Sequence, residues 1–203
     1  MLAGRFAREG CEATAGGPGL RDSLRAATHA SHERLHEHQG LAAVATGQIS
    51  RAGYCSLLMR LLGLYAPLEL ALGLPPERSL WLQADLDSLE ACSAGCVPLC
   101  PYLPRVDNLA QQLGARYVIE GAALGGQLLA GRLDSLLGHG GPAGRRFFIG
   151  RGTASGSAWR SFLAELAAFE TEAGQRDAVI EAASDTFVAF EQWLAGWAGR
   201  SAA

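Results

Sequence analysis

The chain has 203 residues, of which 49% are hydrophobic, 18% charged and 7% aromatic, enough apolar material for one domain with a sizeable core. Its formal net charge of −3 lacks the basic excess of a nucleic-acid binder. All 17 positive side chains are Arg, which excludes a Schiff-base lysine and a Lys-containing phosphate loop.

Residues 1–20 are rich in Gly and Ala and show no period, so a flexible N-terminal arm is expected there. They also lack the continuous apolar run of a secretory signal. Residues 21–199 read as a single helical domain. The segment RDSLRAATHASHERLHEH predicts a first helix, capped by Asp22 or Ser23 and ended by Gly40. A second helix is expected from about Ser50 to Gly73. Leu57, Leu58, Leu61, Leu62, Tyr65 and Leu68 recur in it at helical spacing. Tyr54–Leu74 is the longest apolar stretch, but Arg60, Pro67 and Glu69 interrupt it, so it predicts no membrane span. Pro75 and Pro76 end that helix, and a third follows over about Glu77–Ala94. Pro98, Pro101 and Pro104 break the helical pattern. A fourth helical stretch covers about Val106–Leu137, and GHGGPAGRR is a loop by composition. Two further helices carry the stripes Trp159, Phe162, Leu163, Leu166, Phe169 and Ile180, Ala183, Phe187, Phe190, Leu194, Trp197. No segment alternates with period two. The expected fold is all-α, with about six to seven helices. Five Cys is an odd number and points to reduced thiols in a cytoplasmic protein. Cys92, Cys96 and Cys100 are four residues apart, as metal ligands or as unrelated thiols beside a loop; no Cys-x-x-Cys pair accompanies them.

At 100° per residue, Arg25, His29, His32 and His36 fall within about 60° of one another on the first helix, with His38 opposite. Neutral imidazole is a good iron or zinc ligand, and guanidinium a good carboxylate partner. Arg25 and His32 stand about 10 Å apart along the axis. That separation suits haem, a group carrying both a metal and peripheral carboxylates. A solvated face would give the same spacing, and a zinc site is a further option.

The segment ARYVIEGAALGGQLLAGRL carries Gly121, Gly125, Gly126 and Gly131 at otherwise helical spacing. Each costs a helix ~1 kcal/mol relative to Ala. Either another helix packs closely there, or a flat ligand lies against bare backbone.

Leu24-Arg25-Ala26-Ala27-Thr28-His29-Ala30-Ser31-His32 resembles the proximal-helix motif of the haem oxygenases. Tyr117-Val118-Ile119-Glu120-Gly121-Ala122-Ala123-Leu124-Gly125-Gly126 resembles their distal-helix motif. Phe147-Phe148 and Trp159-Arg160-Ser161-Phe162 add to the likeness, which spans about residues 21–197 and is nearest the bacterial branch associated with bacteriophytochromes. The resemblance implies haem held between these two helices, with His32 as the axial iron ligand. It implies propionate contacts for Arg25 and, more weakly, for Arg160, with Tyr117 reaching a propionate or lining the pocket. Gly121, Gly125 and Gly126 would give haem and O2 close approach to backbone, Gly121 and Gly125 with a catalytic role. His29 and His36 have no counterpart in the motif.

The implied reaction opens the haem ring to biliverdin, CO and ferrous iron, using O2. The chain has no flavin or nicotinamide fingerprint, so electrons would come from a ferredoxin or reductase. A bacteriophytochrome is a candidate recipient of the product. Ala122 departs from the motif's Ser and cannot hydrogen-bond through its side chain. Glu120 points about 100° from Gly121, which suggests an interhelical role rather than a direct acid. Three alternatives share the helical architecture: a non-catalytic haem carrier or sensor, a di-iron protein, and a thiamin-type enzyme. No recurring Glu-x-x-His supports the di-iron reading.

Overall fold

A computed structural model describes residues 18–90, 97–170 and 173–197 of the chain. Among the described residues every regular element is helical: α1 (Leu20–His36), α2 (Gln39–Ala45), α3 (Arg51–Ala71), α4 (Glu77–Ser88), α5 (Leu109–Arg132), α6 (Asp134–Leu137), α7 (Arg146–Ile149), α8 (Ser155–Phe169) and α9 (Ala173–Leu194), with a 3-10 turn at Gly152–Ala154. None of these helices is long and apolar enough to cross a membrane. The expected arm lies almost wholly outside the described residues, as do Cys11, Cys92 and Cys96.

Among the described residues nine α-helices replace the six to seven expected from sequence. The expected first helix is divided, because α1 stops at His36 and α2 starts at Gln39. Gly40 does not end a helix. It is buried within α2, where a Cβ would come within 3.2 Å of the His38 and Trp197 rings. The other additions, α6 and α7, have four residues each. Such a short helix forms only when something outside it satisfies its end groups. For α7 that partner is Asp85 of α4, which accepts from Arg146 N at 2.6 Å and Phe147 N at 2.8 Å.

The N-terminus of α1 also differs from expectation. Neither Asp22 nor Ser23 caps it. The Leu20 N–H instead donates to the Glu170 carboxylate, at the end of α8. Arg176 of α9 bridges that carboxylate, at 3.2 Å, and Ser23 Oγ, at 2.6 Å. The start of α1 is thus tied to both C-terminal helices.

The most extensive helix pairing joins α5 and α9, and α1 also packs chiefly on α9. Gly114 sets the α5–α9 spacing. A Cβ there would overlap Val179 O and come within 2.8 Å of Ala182 Cβ and Ala183 N. A buried ionic network fixes α5 from another side. Glu69 of α3 is 1% exposed and accepts from Arg78 N at 2.8 Å, Ser79 N at 3.1 Å and Ser79 Oγ at 2.7 Å, capping α4. Arg78 is 5% exposed and reaches Glu69 at 3.8 Å and Glu120 at 2.8 Å. Arg151 approaches the second Glu120 oxygen at 3.7 Å and pairs with Glu77 at 2.6 Å. Charges buried this deeply persist only when paired and hydrogen-bonded.

Candidate functional site

Arg25, His29, His32 and His36 all lie exposed on one face of α1. The buried side of the helix is Leu20, Leu24 and Thr28. Apolar spacing on one side thus fixes which residues the other side presents. The His32 ring stands edge-on to Phe187 of α9, with centroids 6.3 Å apart. Its Nδ1 lies 3.4 Å from Glu33 Oε1, and its Nε2 lies 3.2 Å from His36 Nε2.

α5 is held from behind by three neighbours: α9 at Gly114, α7 at Gly126 and α4 at Glu120. The glycines of its motif divide accordingly. A Cβ on Gly126 would come within 3.0 Å of Phe148 O, so this glycine lets α7 pack closely. A Cβ on Gly121 would meet only Trp159, at 3.7 Å. Gly125 is exposed, and a Cβ there would meet nothing within 4 Å. Gly126 serves helix packing, and no neighbour among the described residues accounts for Gly125.

Tyr117 marks where the two helices approach. Its phenol lies near Thr28 of α1 and feels the charges of Arg21 and Arg25. Burial pushes its phenol above the usual range, and the two guanidiniums and Thr28 pull it back. Counting by fours from Tyr117, the same face of α5 continues through Gly121 and Gly125, next to Leu124 and an 80% exposed Leu128. Apart from the Tyr117 region, α1 and α5 touch little, and both rest on α9. His32 on α1 and Gly125 on α5 are both exposed, on two helices that each pack against α9. The combination offers a metal ligand, a side-chain-free backbone surface and cations at one end. It suits a flat, metal-bearing, carboxylate-bearing group.

Arg25 stands near Tyr117. Arg160 is exposed on α8, beside Trp159. Ala122 is exposed and supplies no hydrogen-bonding side chain. Glu120 is interhelical, as its direction on the helix suggests. Three contributors are not evident from spacing. Thr28 belongs to the proximal motif, yet only its contact with Tyr117 gives it a role. Arg21 lies one turn before Arg25. Trp159 reads as core from its stripe, but its ring packs 5.6 Å from that of Tyr117 and faces Gly121. Its position directly before Arg160 in the third matching segment is the one sequence signal for it.

The family model described as Heme oxygenase matches residues 19–196. The fold is similar to the structure of haem oxygenase from Leptospira interrogans. That match has a TM-score of 0.71 at 14% sequence identity, over 87% of this chain and 98% of that one. A search of curated proteins gives no sequence match. With the family model extending from the first turn of α1 to beyond α9, the chain belongs to the haem oxygenase family and is a haem-degrading enzyme.

Proposed function

We propose that His32 supplies the axial iron ligand and that haem lies between α1 and the glycine-bearing face of α5. Bound haem supplies the oxygen chemistry. With O2 and electrons from a separate donor, it is opened to biliverdin, CO and ferrous iron. The residues of the chain orient it and shape its surroundings. His32, as a neutral imidazole, donates through Nε2, while Glu33 faces its other ring nitrogen. Arg25 takes a propionate at the Tyr117 end, and Arg160 takes a second contact from α8. These contacts fix haem rotation, and with it the ring carbon attacked. Gly121 and Gly125 leave backbone against the distal haem face, where a side chain would occupy the space for O2. Gly126 contributes to the same surface indirectly, by letting α7 hold α5 in place. Protons reach the site through water, because Ala122 offers none.

The observation that carries this reading is Gly125. A glycine in mid-helix with no neighbour among the described residues costs stability that no contact among them offsets. The Tyr117–Gly126 pattern favours the bacteriophytochrome-associated type, with a ferredoxin or reductase as donor and a phytochrome as recipient, in the cytoplasm.

The test is a haem titration of the purified protein, followed by ascorbate in air. A saturable Soret band that decays into a biliverdin band is expected. His32→Ala is expected to lose the wild-type haem spectrum and most turnover. A His32→Ala variant that keeps both would refute the ligand assignment.

A further inference from the structure

We infer that His32 and His36 form a binding site for a bare divalent transition-metal ion, and that this ion and haem exclude one another. The two imidazoles are four residues apart on α1, one turn along the same face. Their rings are tilted toward each other, with centroids 4.4 Å apart, and their Nε2 atoms are 3.2 Å apart. A zinc ion bonded to imidazole at ~2.0–2.1 Å would bridge that gap with an N–metal–N angle of about 100°. This is close to a tetrahedral angle, so the pair is spaced to chelate as it stands. Both side chains are exposed, which leaves room for water to complete the coordination shell.

The residue between the two ligands supports the same conclusion. Residues 32–36 read His-Glu-Arg-Leu-His, the His-Glu-x-x-His spacing that places two zinc ligands on one helix face. In hydrolytic sites of that pattern the Glu acts on a metal-bound water. Here Glu33 lies on the Nδ1 side of His32, at 3.4 Å, away from the facing Nε2 atoms. It is therefore placed to orient a ligand imidazole rather than to activate water. No group of three or more metal-binding side chains occurs among the described residues, so the site holds an ion by two protein ligands and water. Copper, nickel and zinc bind imidazole best among the divalent first-row ions, and they define the class of ion expected.

The exclusion rests on the haem reading above, and the metal site does not. An ion on His32 Nε2 occupies the atom proposed to bind haem iron. His36 is then the residue that distinguishes the two ligands, since only the bare ion needs it.

The experiment is calorimetric titration of the haem-free protein with Zn2+, for wild type, His36→Ala and His29→Ala. Haem titration follows, with and without saturating Zn2+. All three proteins should fold, because these positions are exposed and Ala favours a helix. One ion per chain is expected for wild type and His29→Ala. His36→Ala should bind Zn2+ at least tenfold more weakly while taking up haem normally. Zinc should weaken haem uptake by wild type and leave His36→Ala unaffected. Equal zinc affinity in wild type and His36→Ala overturns the site. Zinc bound at this pair without any effect on haem uptake overturns the exclusion. A wild type that takes up no haem even without zinc overturns the haem reading and the exclusion, while the zinc titrations still decide the metal site.

Discussion

Replacing single glycines of α5 by Ala adds the same methyl group at each position, yet opposite effects are expected. At Gly125 the methyl meets nothing within 4 Å, so only helix propensity changes. The haem-free protein should gain ~0.8–1.0 kcal/mol. In a chain of this size that raises Tm by ~2–4 °C. At Gly114 the methyl overlaps Val179 O and sits 2.8 Å from two more atoms of α9, so α5 and α9 must separate. Overpacking costs ~1–3 kcal/mol, and contact with rigid backbone favours the upper end. After the propensity gain of ~1 kcal/mol, a net loss of ~2 kcal/mol remains, or a fall of ~4–8 °C. Thermal melts of the haem-free variants measure both. Biliverdin formation then separates stability from function: Gly125→Ala should be the more stable protein and the poorer enzyme. Gly125→Leu should go further, diverting turnover toward peroxidase-like side reactions. A destabilised Gly125→Ala, or one with full biliverdin yield, would refute the assignment of this surface to a ligand.

Arg25→Gln should weaken haem binding about five- to tenfold, since a charge-assisted contact at an exposed site is worth roughly 1 kcal/mol after screening. It should also broaden the mixture of biliverdin isomers, read by chromatography. Arg78→Met leaves Glu69 and Glu120 without their shared cation, and a loss of ~3–5 kcal/mol in urea unfolding is expected. A loss below ~1 kcal/mol would show the network to be dispensable. Burial pushes the Asp85 carboxyl up to about 6, against the pull of the Phe147 and Arg146 N–H groups. The folded protein therefore holds this proton more tightly than the unfolded chain does. The stability contributed is full below the unfolded value of ~3.9 and is lost as pH rises through the folded value. Asp85→Asn should flatten that decline in urea unfolding between roughly pH 4 and 7.

The helices themselves were legible because one-sided burial leaves a 3.6-residue period, clearest in α8 and α9. His32 and Gly125 stand out as candidates because each belongs to a contiguous motif on one helix. Features that depend on a distant partner were not. The turn between α1 and α2 is hidden because Gly40 resembles a terminator, while Trp197 is what makes a glycine necessary there. Helix α7 depends on Asp85, some sixty positions earlier. The division of labour between Gly125 and Gly126 depends on which helix stands opposite, and adjacent letters of one motif cannot reveal it. The His-Glu-x-x-His run at 32–36 stands in the sequence but is not among the sites expected from it. It is easily passed over, because the haem motif already gives His32 a role and assigns His36 none.

The tie between Leu20 and Glu170 sets an order of events during synthesis. The residue closing the first turn of α1 is encoded 150 positions after it. At ~5–20 residues per second, about 8–30 s pass before that carboxylate leaves the ribosome. α9, on which α1 chiefly rests, emerges later still. Helix α1 is thus translated before both the carboxylate that closes its first turn and the helix on which it chiefly packs. Its histidines wait on the nascent chain without Phe187 beside them or a finished helix beneath them. A ribosome stalled before Glu170 would release a fragment in which α1 has neither its cap nor its floor.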